Sequence, residues 1–472
     1  MMSDLLLALL ALVWLAGICL RIYRQARFYQ IEEYMSARYL RWLMSQRSRW
    51  LPLRPAIAGV VGSALLILLA DSAPVIQFAL ALITVLAAIW PPPEGEIKKG
   101  FRATPRARRM LAAAFAAAGM IMILALLIAG RSAAVDLRAA VLTALGLIAF
   151  LLAPLLLIVG SLLMTPVEAL GRRRFIARAR GVLAEVNPVI IGITGSYGKT
   201  STKNYLAHIL NGRYHAYPTP KSYNTLMGIC IAINNELAHD HSVDYFIAEM
   251  GAYIPGEIER ICALTRPTIS IVIEVGPQHL ERFGSLENVA IAKYEIVKAL
   301  PEDGLGIFNW DNEYVRAMYQ HGYPSNRIAV SQTVDPSNAP PDGPRLIASN
   351  VVESLDGLTF TLTDRQTGDQ AEIVTPLLGG HNVTNLLLAA AVALHEGMPL
   401  RDVARRMRTL QPAESRLVRQ STGAGITIIN DAYSANPVGA AYALRVLGMH
   451  TSGRRLLITP GMVELGPLME GE

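Results

Sequence analysis

A glycine-rich turn set between a short apolar run and a helical stretch offers the most specific chemistry in the chain. Val189-Ile190-Ile191-Gly192-Ile193, entered from Pro188, predicts a buried strand, almost wholly apolar as parallel strands are. Gly195-Ser196-Tyr197-Gly198-Lys199-Thr200 follows after Thr194, and the helical stretch Ser201–Leu210 comes next. Strand, glycine turn and helix is the context a phosphate-binding loop requires. Backbone N–H groups of the turn and of the helix start at Ser201 would cradle phosphate oxygens. Lys199 would neutralise the terminal phosphates and Thr200 would ligate magnesium. The strict motif wants glycine at position 193, where this chain has Ile193; its glycines fall at 192, 195 and 198. Chance glycine spacing is the competing reading, and Lys199-Thr200 with both flanking elements weighs against it.

Other polar residues stand where predicted strands end. Tyr245–Ala248 delivers Glu249, and a carboxylate there, near the phosphate loop, can hold magnesium directly or through water. An ordinary strand-end acid is the alternative. Thr268–Val275 leads to His279, whose imidazole can ligate a metal or cap a turn. Lys293 lies on the predicted helix Leu286–Leu300, where a surface lysine is the default reading. Another strand ends at Asn309-Trp310-Asp311-Asn312, suited to polar contacts at a sheet crevice. Gly379-Gly380 precede His381-Asn382 and the helix Val383–His395, with Gly397 as its stop. Ile426–Ile429 reads as a strand leading into Asp431-Ala432-Tyr433-Ser434-Ala435-Asn436-Pro437. Asp431 could pair with a ribose or a metal-bound water, and Tyr433 could support a base or substrate, although Asn436-Pro437 is also good turn chemistry. Val438–Leu447 then reads as helix and Arg454–Thr459 as strand. Ser331–Arg345, rich in proline, is a connection, and Leu355–Val374 alternates like hairpins around Asp356-Gly357 and Thr367-Gly368-Asp369.

The elements that carry these residues occupy only the later part of a 472-residue chain. Its 52% hydrophobic content and 17% charged content exclude a disordered tail, and three cysteines (Cys19, Cys230, Cys262) without metal-ligand spacing exclude a disulfide scaffold. The +6 charge does not indicate nucleic acid, because 14 basic residues sit in two loops between apolar runs, eight from Arg21 to Arg54 and six from Lys98 to Arg109. Five apolar segments, Leu5–Leu20, Pro55–Ala70, Pro74–Trp90, Met110–Gly130 and Ala139–Met164, predict membrane helices. The first three are short, and the Asp71–Pro74 turn could join two spanning helices or cap a re-entrant pair. The first segment lacks a basic start and a small-residue cleavage site, so it reads as an uncleaved helix rather than a signal peptide. Tyr29–Trp50 mixes aromatic, apolar and arginine residues and reads either as an interfacial amphipathic helix or as a solvated connector.

The ordered blocks of the later part resemble the Mur ligases, ATP-dependent enzymes that extend peptidoglycan precursors, and within them the branch that adds D-alanyl-D-alanine. The blocks are Gly192–Lys203, Ser222–Gly228, Glu249-Met250-Gly251 with Gly256-Glu257-Ile258, His279–Ser285, Ala290–Ile296, Gly380–Asn385, Arg416, Asp431–Pro437 and Gly461–Gly466. The resemblance covers about residues 184 to 472. The apolar segments make 1–183 a multi-span helical membrane domain, and the resemblance implies an α/β P-loop ATP-binding central domain over 184–411 and a Rossmann-like C-terminal domain over 412–472. That last domain is expected to be partial, since the family's normally extends well beyond GMVELG. The resemblance further implies ATP and magnesium as cofactors, with Lys199 and Thr200 on phosphate and metal. Glu249 and His279 become the metal-binding pair, and Lys293 takes the position of a lysine that is usually carbamylated. Asn382 would contact adenine, Arg416 phosphate and Asp431 ribose, with Asn309 in the nucleotide-contact region. Ser434 replaces the usual asparagine of DAYNANP, so that local bonding does not transfer.

The chemistry so implied transfers the terminal phosphoryl group of ATP to a peptide carboxylate, and an amine, D-Ala-D-Ala in the nearest branch, attacks the acyl phosphate. No Ser-His-Asp nucleophile is identifiable, and none is needed. Membrane segments stand where the soluble family member begins with a domain that grips its uridine nucleotide, so a lipid-linked precursor or another surface polymer would suit the anchor. The expected partners are a cell-wall precursor, the amine, the lipid bilayer and other wall-synthesis proteins, with no nucleic acid. A membrane-bound poly-γ-glutamate or other surface-polymer ligase is the enzymatic rival; a non-catalytic nucleotide-binding scaffold is the rival outside catalysis, and an ATP-driven transporter is weaker. The basic loops, together with Arg172-Arg173-Arg174, put residue 1 outside and the ligase domains on the cytoplasmic side of a bacterial inner membrane. Cysteine labelling in sealed cells should therefore mark the N-terminus and spare Gly100→Cys, and external labelling at position 100 would reverse the orientation.

Overall fold

The structure is a computed structural model that describes residues 4–91, 100–132, 137–422, 425–432, 437–451, 453–459 and 461. It divides into two compact units, Met1–Arg173 and Arg174–Glu472.

Among the described residues of the first unit, the regular elements are helices. Three helices, Asp4–Ile31, Pro105–Gly130 and Arg138–Val186, are long and apolar enough to cross a membrane. The helices Leu53–Leu68 and Pro74–Ile89 have 16 residues each. That is about 24 Å of helix, short of a hydrocarbon core about 30 Å thick. Close packing here relies on small residues, as membrane helices do. A Cβ on Gly62 would strike Thr84, and one on Gly146 would strike the Trp14 ring. The stretch after the first helix forms the helix Ser36–Ser45, which buries Tyr39 and Leu43 and leaves Leu40 and Met44 exposed.

The first helix continues well beyond the apolar segment that ended at Leu20, because Arg21 is partnered. Pro154 inside the helix Arg138–Val186 removes the N–H that would have bonded the Phe150 carbonyl. Arg21 Nη1 donates to that oxygen at 2.5 Å, and Nη2 donates to the Trp50 and Arg49 carbonyls at 2.7 and 3.2 Å. One guanidinium thus joins three separate segments at a point where a lone charge would be costly.

The second unit is built on a nine-stranded sheet. Its strands are β1 (Val189–Thr194), β2 (Ala216–Pro218), β3 (Tyr245–Glu249), β4 (Ile269–Val272), β5 (Leu305–Asn309), β6 (Asn326–Ser331), β7 (Leu346–Ser354), β8 (Gly357–Asp364) and β9 (Gln370–Thr375). The order is β2-β3-β1-β4-β5-β6-β7-β8-β9, parallel as far as β7 and antiparallel from β7 to β9. The helices Lys199–Leu210 and His381–His395 cover one face, and Leu226–Asn235, Glu257–Thr265 and Leu286–Lys298 cover the other. Residues 175–186 of the long helix belong to this second core, where Ala179 and Leu183 pack with Ile190, Ile229 and Ile233. Because β1 lies between β3 and β4, the chain reverses its winding direction there, and the crevice beyond the strand ends at such a point is the usual ligand site.

The alternating segment Leu355–Val374 forms the expected hairpins, and Gly397 sits in the left-handed region just past the helix His381–His395. A two-stranded ladder pairs β10 (Val418–Ser421) with β11 (Thr427–Asn430), before the helix Pro437–Gly448. The expected strand Arg454–Thr459 is irregular instead. It has no ladder partner among the described residues, so Leu456, Leu457 and Ile458 remain exposed. Replacing Arg21 by Leu strands the Phe150 and Trp50 carbonyls and should cost about 2–4 kcal/mol. Thermal unfolding in detergent should show this loss; an unchanged midpoint would mean the guanidinium holds nothing.

Candidate active site

The loop after β1 is shaped by its glycines and braced from beneath. Gly198 caps the helix Lys199–Leu210 at φ 79°, a left-handed conformation, and a Cβ there would lie 2.5 Å from Asn385 Oδ1. Ser196 donates its N–H to the Glu274 carbonyl at 2.7 Å, while its hydroxyl meets the Gly276 carbonyl at 3.0 Å and the Gly276 N–H at 2.9 Å. Ile193 is fully buried in β1, so the position that the strict motif gives to glycine is core here. Lys199 Nζ curls back on the loop and donates to the Gly195 and Ser196 carbonyls. Burial, opposed by Glu249 and reinforced by Arg416, pushes its ammonium down to about 8.

Glu249 ends β3 opposite Ile193, beside the loop. Its Oε2 accepts from Thr200 Oγ1 at 3.0 Å and from Lys203 Nζ at 3.1 Å, and its Oε1 accepts from Asn224 Nδ2 at 3.3 Å. Arg416 Nη2 reaches the Thr200 hydroxyl at 3.2 Å. The hydroxyl and the carboxylate form a pair of adjacent hard oxygen donors of the kind magnesium takes. Among the described residues no group of three or more His, Cys, Asp or Glu gathers into a metal cluster. His279 caps the short helix Leu280–Phe283 at φ 54° and lies against the Tyr253 ring at 4.6 Å. Lys293 is not the surface lysine of the default reading, being only 3% exposed. Burial and then Lys199 hold its ammonium well below the usual lysine range, with Glu295 opposing.

A cavity beside the loop gathers Tyr197, Gly198, Ser201, Asn309, Arg416 and Asp431, six of the expected cofactor-site residues. Asn382 is not among them. It is 4% exposed, its Oδ1 accepts from Tyr205 and Asn385, and its Nδ2 donates to the Leu378 carbonyl at 2.8 Å. Its neighbours His381 and Asn385 line the cavity in its place, with Glu274 and Asp311. Asp311 fastens the rim, accepting from Ser331, Thr333 and the Gln332 N–H. Asp431 accepts the Leu417 N–H at 3.0 Å; burial raises its carboxyl to about 6 against that bond and Arg416. Burial also raises Glu274 to about 7 and, with Arg416, lowers His381 to about 4. Tyr433, Ser434, Ala435, Asn436 and the block from residue 462 lie outside the described residues. Lys203, Asn224, Glu274, His381 and Asn385 are among the site residues to which sequence reasoning gave no role.

Glu274 is neutral below about pH 7 and charged above it, where it repels phosphate. Affinity for a nucleotide should then fall severalfold between about pH 6.5 and 8, where Lys199 also loses charge, and Glu274→Gln should lessen the fall. Calorimetric titration across that range checks it, and an equally steep fall in the variant would clear Glu274 of the effect.

The part of the chain that carries this site is similar to known proteins. Residues 193–393 match the family described as Mur ligase middle domain. The UDP-N-acetylmuramoyl-tripeptide–D-alanyl-D-alanine ligase of Bacillus subtilis is 30% identical over 293 residues, covering 62% of this chain and 60% of that protein. The corresponding ligase of Mycobacterium leprae is 36% identical over 283 residues, covering 58% and 54%. The chain thus spans somewhat over half the length of the curated relatives it matches. In fold it is similar to crystal structures of MurF from Acinetobacter baumannii (TM-score 0.54, 24% identity, 62% of this chain and 61% of that one) and of MurF ligase from Thermotoga maritima in complex with ADP (TM-score 0.54, 21% identity, 63% and 66%). Over residues 193–393, the stretch that carries the glycine loop, Glu249 and Asn309, the chain is similar to the Mur ligase middle domain.

Proposed function

We propose that the protein is an ATP-dependent, ADP-forming ligase that joins D-Ala-D-Ala to the terminal carboxylate of a muramoyl-peptide precursor, at the cytoplasmic face of a bacterial inner membrane. The observation that carries this reading is the convergence of Thr200, Lys203 and Asn224 on Glu249, directly beside a glycine loop with Lys199 and Arg416. The choice of amine and acceptor rests on the names of the curated relatives.

Loop amides and Lys199 bind the terminal phosphates, and Arg416 adds a second fixed cation on the far side of Thr200. Asp431 and Asn309 hold the nucleoside end in the cavity. Thr200 and Glu249 are the residues that would hold magnesium, which when bound offsets charge on the phosphate oxygens. With ATP fixed, an acceptor carboxylate oxygen attacks the terminal phosphorus and ADP leaves. The amine then attacks the acyl carbon, and phosphate departs with one oxygen of the former carboxylate. Positioning and charge stabilisation do the catalytic work, with no covalent protein nucleophile. Lys293 fits a carbamate as well: its burial favours the neutral amine, the form that adds carbon dioxide.

Full-length protein in lipid nanodiscs, given ATP, magnesium, D-Ala-D-Ala and either a UDP-linked or a lipid-linked acceptor, should yield ADP and an extended peptide by mass spectrometry. Lys199→Ala and Glu249→Ala should each lower the rate about 10²–10³-fold. Lys293→Ala should lose most activity and regain part of it with short carboxylates. ADP release that ignores both the acceptor and the amine would defeat the ligase reading.

A further inference from the structure

Lys203 has no assigned part in the chemistry, yet its side chain is 1% exposed and paired with a Glu249 side chain that is 2% exposed. Its ammonium makes two bonds, to Glu249 Oε2 at 3.1 Å and to the Lys221 carbonyl at 2.6 Å. Lys221 sits in the left-handed region at φ 49°, three residues before Asn224. Asn224 in turn donates to the other oxygen of the same carboxylate, and its carbonyl accepts the Gly251 N–H at 2.8 Å. The Glu249 N–H donates to Thr219 Oγ1 at 3.2 Å. The segment from Thr219 to Asn224 is therefore tied to the carboxylate at both oxygens and at the backbone, and one of those ties runs through Lys203.

We propose that Lys203 is a positioning residue: it fixes one orientation of the Glu249 carboxylate for a divalent cation and couples that cation to the Thr219–Thr225 segment. This rests on the nucleotide-and-metal reading above. Two physical effects oppose each other at this place. A fixed cation beside Glu249 repels an incoming divalent ion, so a merely competing charge predicts tighter metal binding once it is removed. A carboxylate stripped of the ammonium that bonds it directly loses that tether and turns away, which predicts weaker binding. The bonds to both oxygens, and the second bond of Lys203 to the Lys221 carbonyl, favour orientation over competition.

The test uses full-length protein in detergent with ADP, and Mn²⁺ as the probe read by electron paramagnetic resonance. Lys203→Met should weaken Mn²⁺ binding about tenfold, while ADP affinity without divalent cation changes less than threefold. Mn²⁺ binding that is unchanged or tighter in a folded variant would overturn the proposal. Wild-type protein gives an independent reading that survives a misfolded variant: adding Mg²⁺ with ADP should slow amide hydrogen exchange across residues 219–225 relative to ADP alone. An unaltered segment would overturn the coupling. Wild-type protein that binds neither ADP nor Mn²⁺ would defeat the nucleotide reading and this inference with it.

Discussion

A single buried carboxylate, Glu249, is the point on which the second unit's polar chemistry turns. A hydroxyl, an ammonium and a side-chain amide donate to it, while Lys199 and Arg416 stand one residue away through Thr200. Cations gathered in this way around one acid suit a bound anion, and burial lowers the Lys199 ammonium. The sheet makes this arrangement unavoidable. β1 delivers the glycine loop, its neighbour β3 ends at Glu249, and β4 on the other side runs into Glu274 beneath that loop. Moving any of these three strands by one residue would turn its terminal side chain to the opposite face. The apolar residues of the strands are thus what fixes the electrostatics.

The first unit, with three helices long and apolar enough to cross a membrane, depends on a comparable device. Proline in a membrane helix frees a carbonyl that lipid cannot satisfy. Pro154 does this to Phe150, and Arg21 supplies the missing donor while joining the chain at Trp50. An arginine and a proline that would each be a defect alone are compensated by one another. Glycines then let side chains such as Thr84 and Trp14 approach neighbouring backbone closely.

Most of the sheet was legible because its strands are continuous apolar runs, and the phosphate loop because its glycines lie between a strand and a helix. Helical spacing carried more than was taken from it. Val289, Ala292, Lys293, Ile296 and Val297 are the buried residues of one helix, at positions i, i+3, i+4, i+7 and i+8. That stripe places Lys293 inside, against its default reading as a surface lysine. Lys203 lies three residues after Thr200 and four after Lys199, on the same helix face, a spacing that also marks it. Glu274 was hidden by the apolar run around it. Asn382 could not be placed from sequence, because its amide is engaged by Tyr205, on a helix that meets its own only in the folded unit. Helix lengths in the first unit were equally out of reach: hydropathy ended the first segment at Leu20, while Arg21 finds its partners 29 and 129 residues away.

The central claim is that this constellation activates a carboxylate by phosphorylating it. The most direct measurement supplies an acceptor whose terminal carboxylate is labelled with ¹⁸O, together with ATP, magnesium and the amine, and analyses the released phosphate by mass spectrometry. The account predicts one ¹⁸O atom in the phosphate for each amide bond formed, carried there through the acyl phosphate. Amide formation with unlabelled phosphate would contradict it.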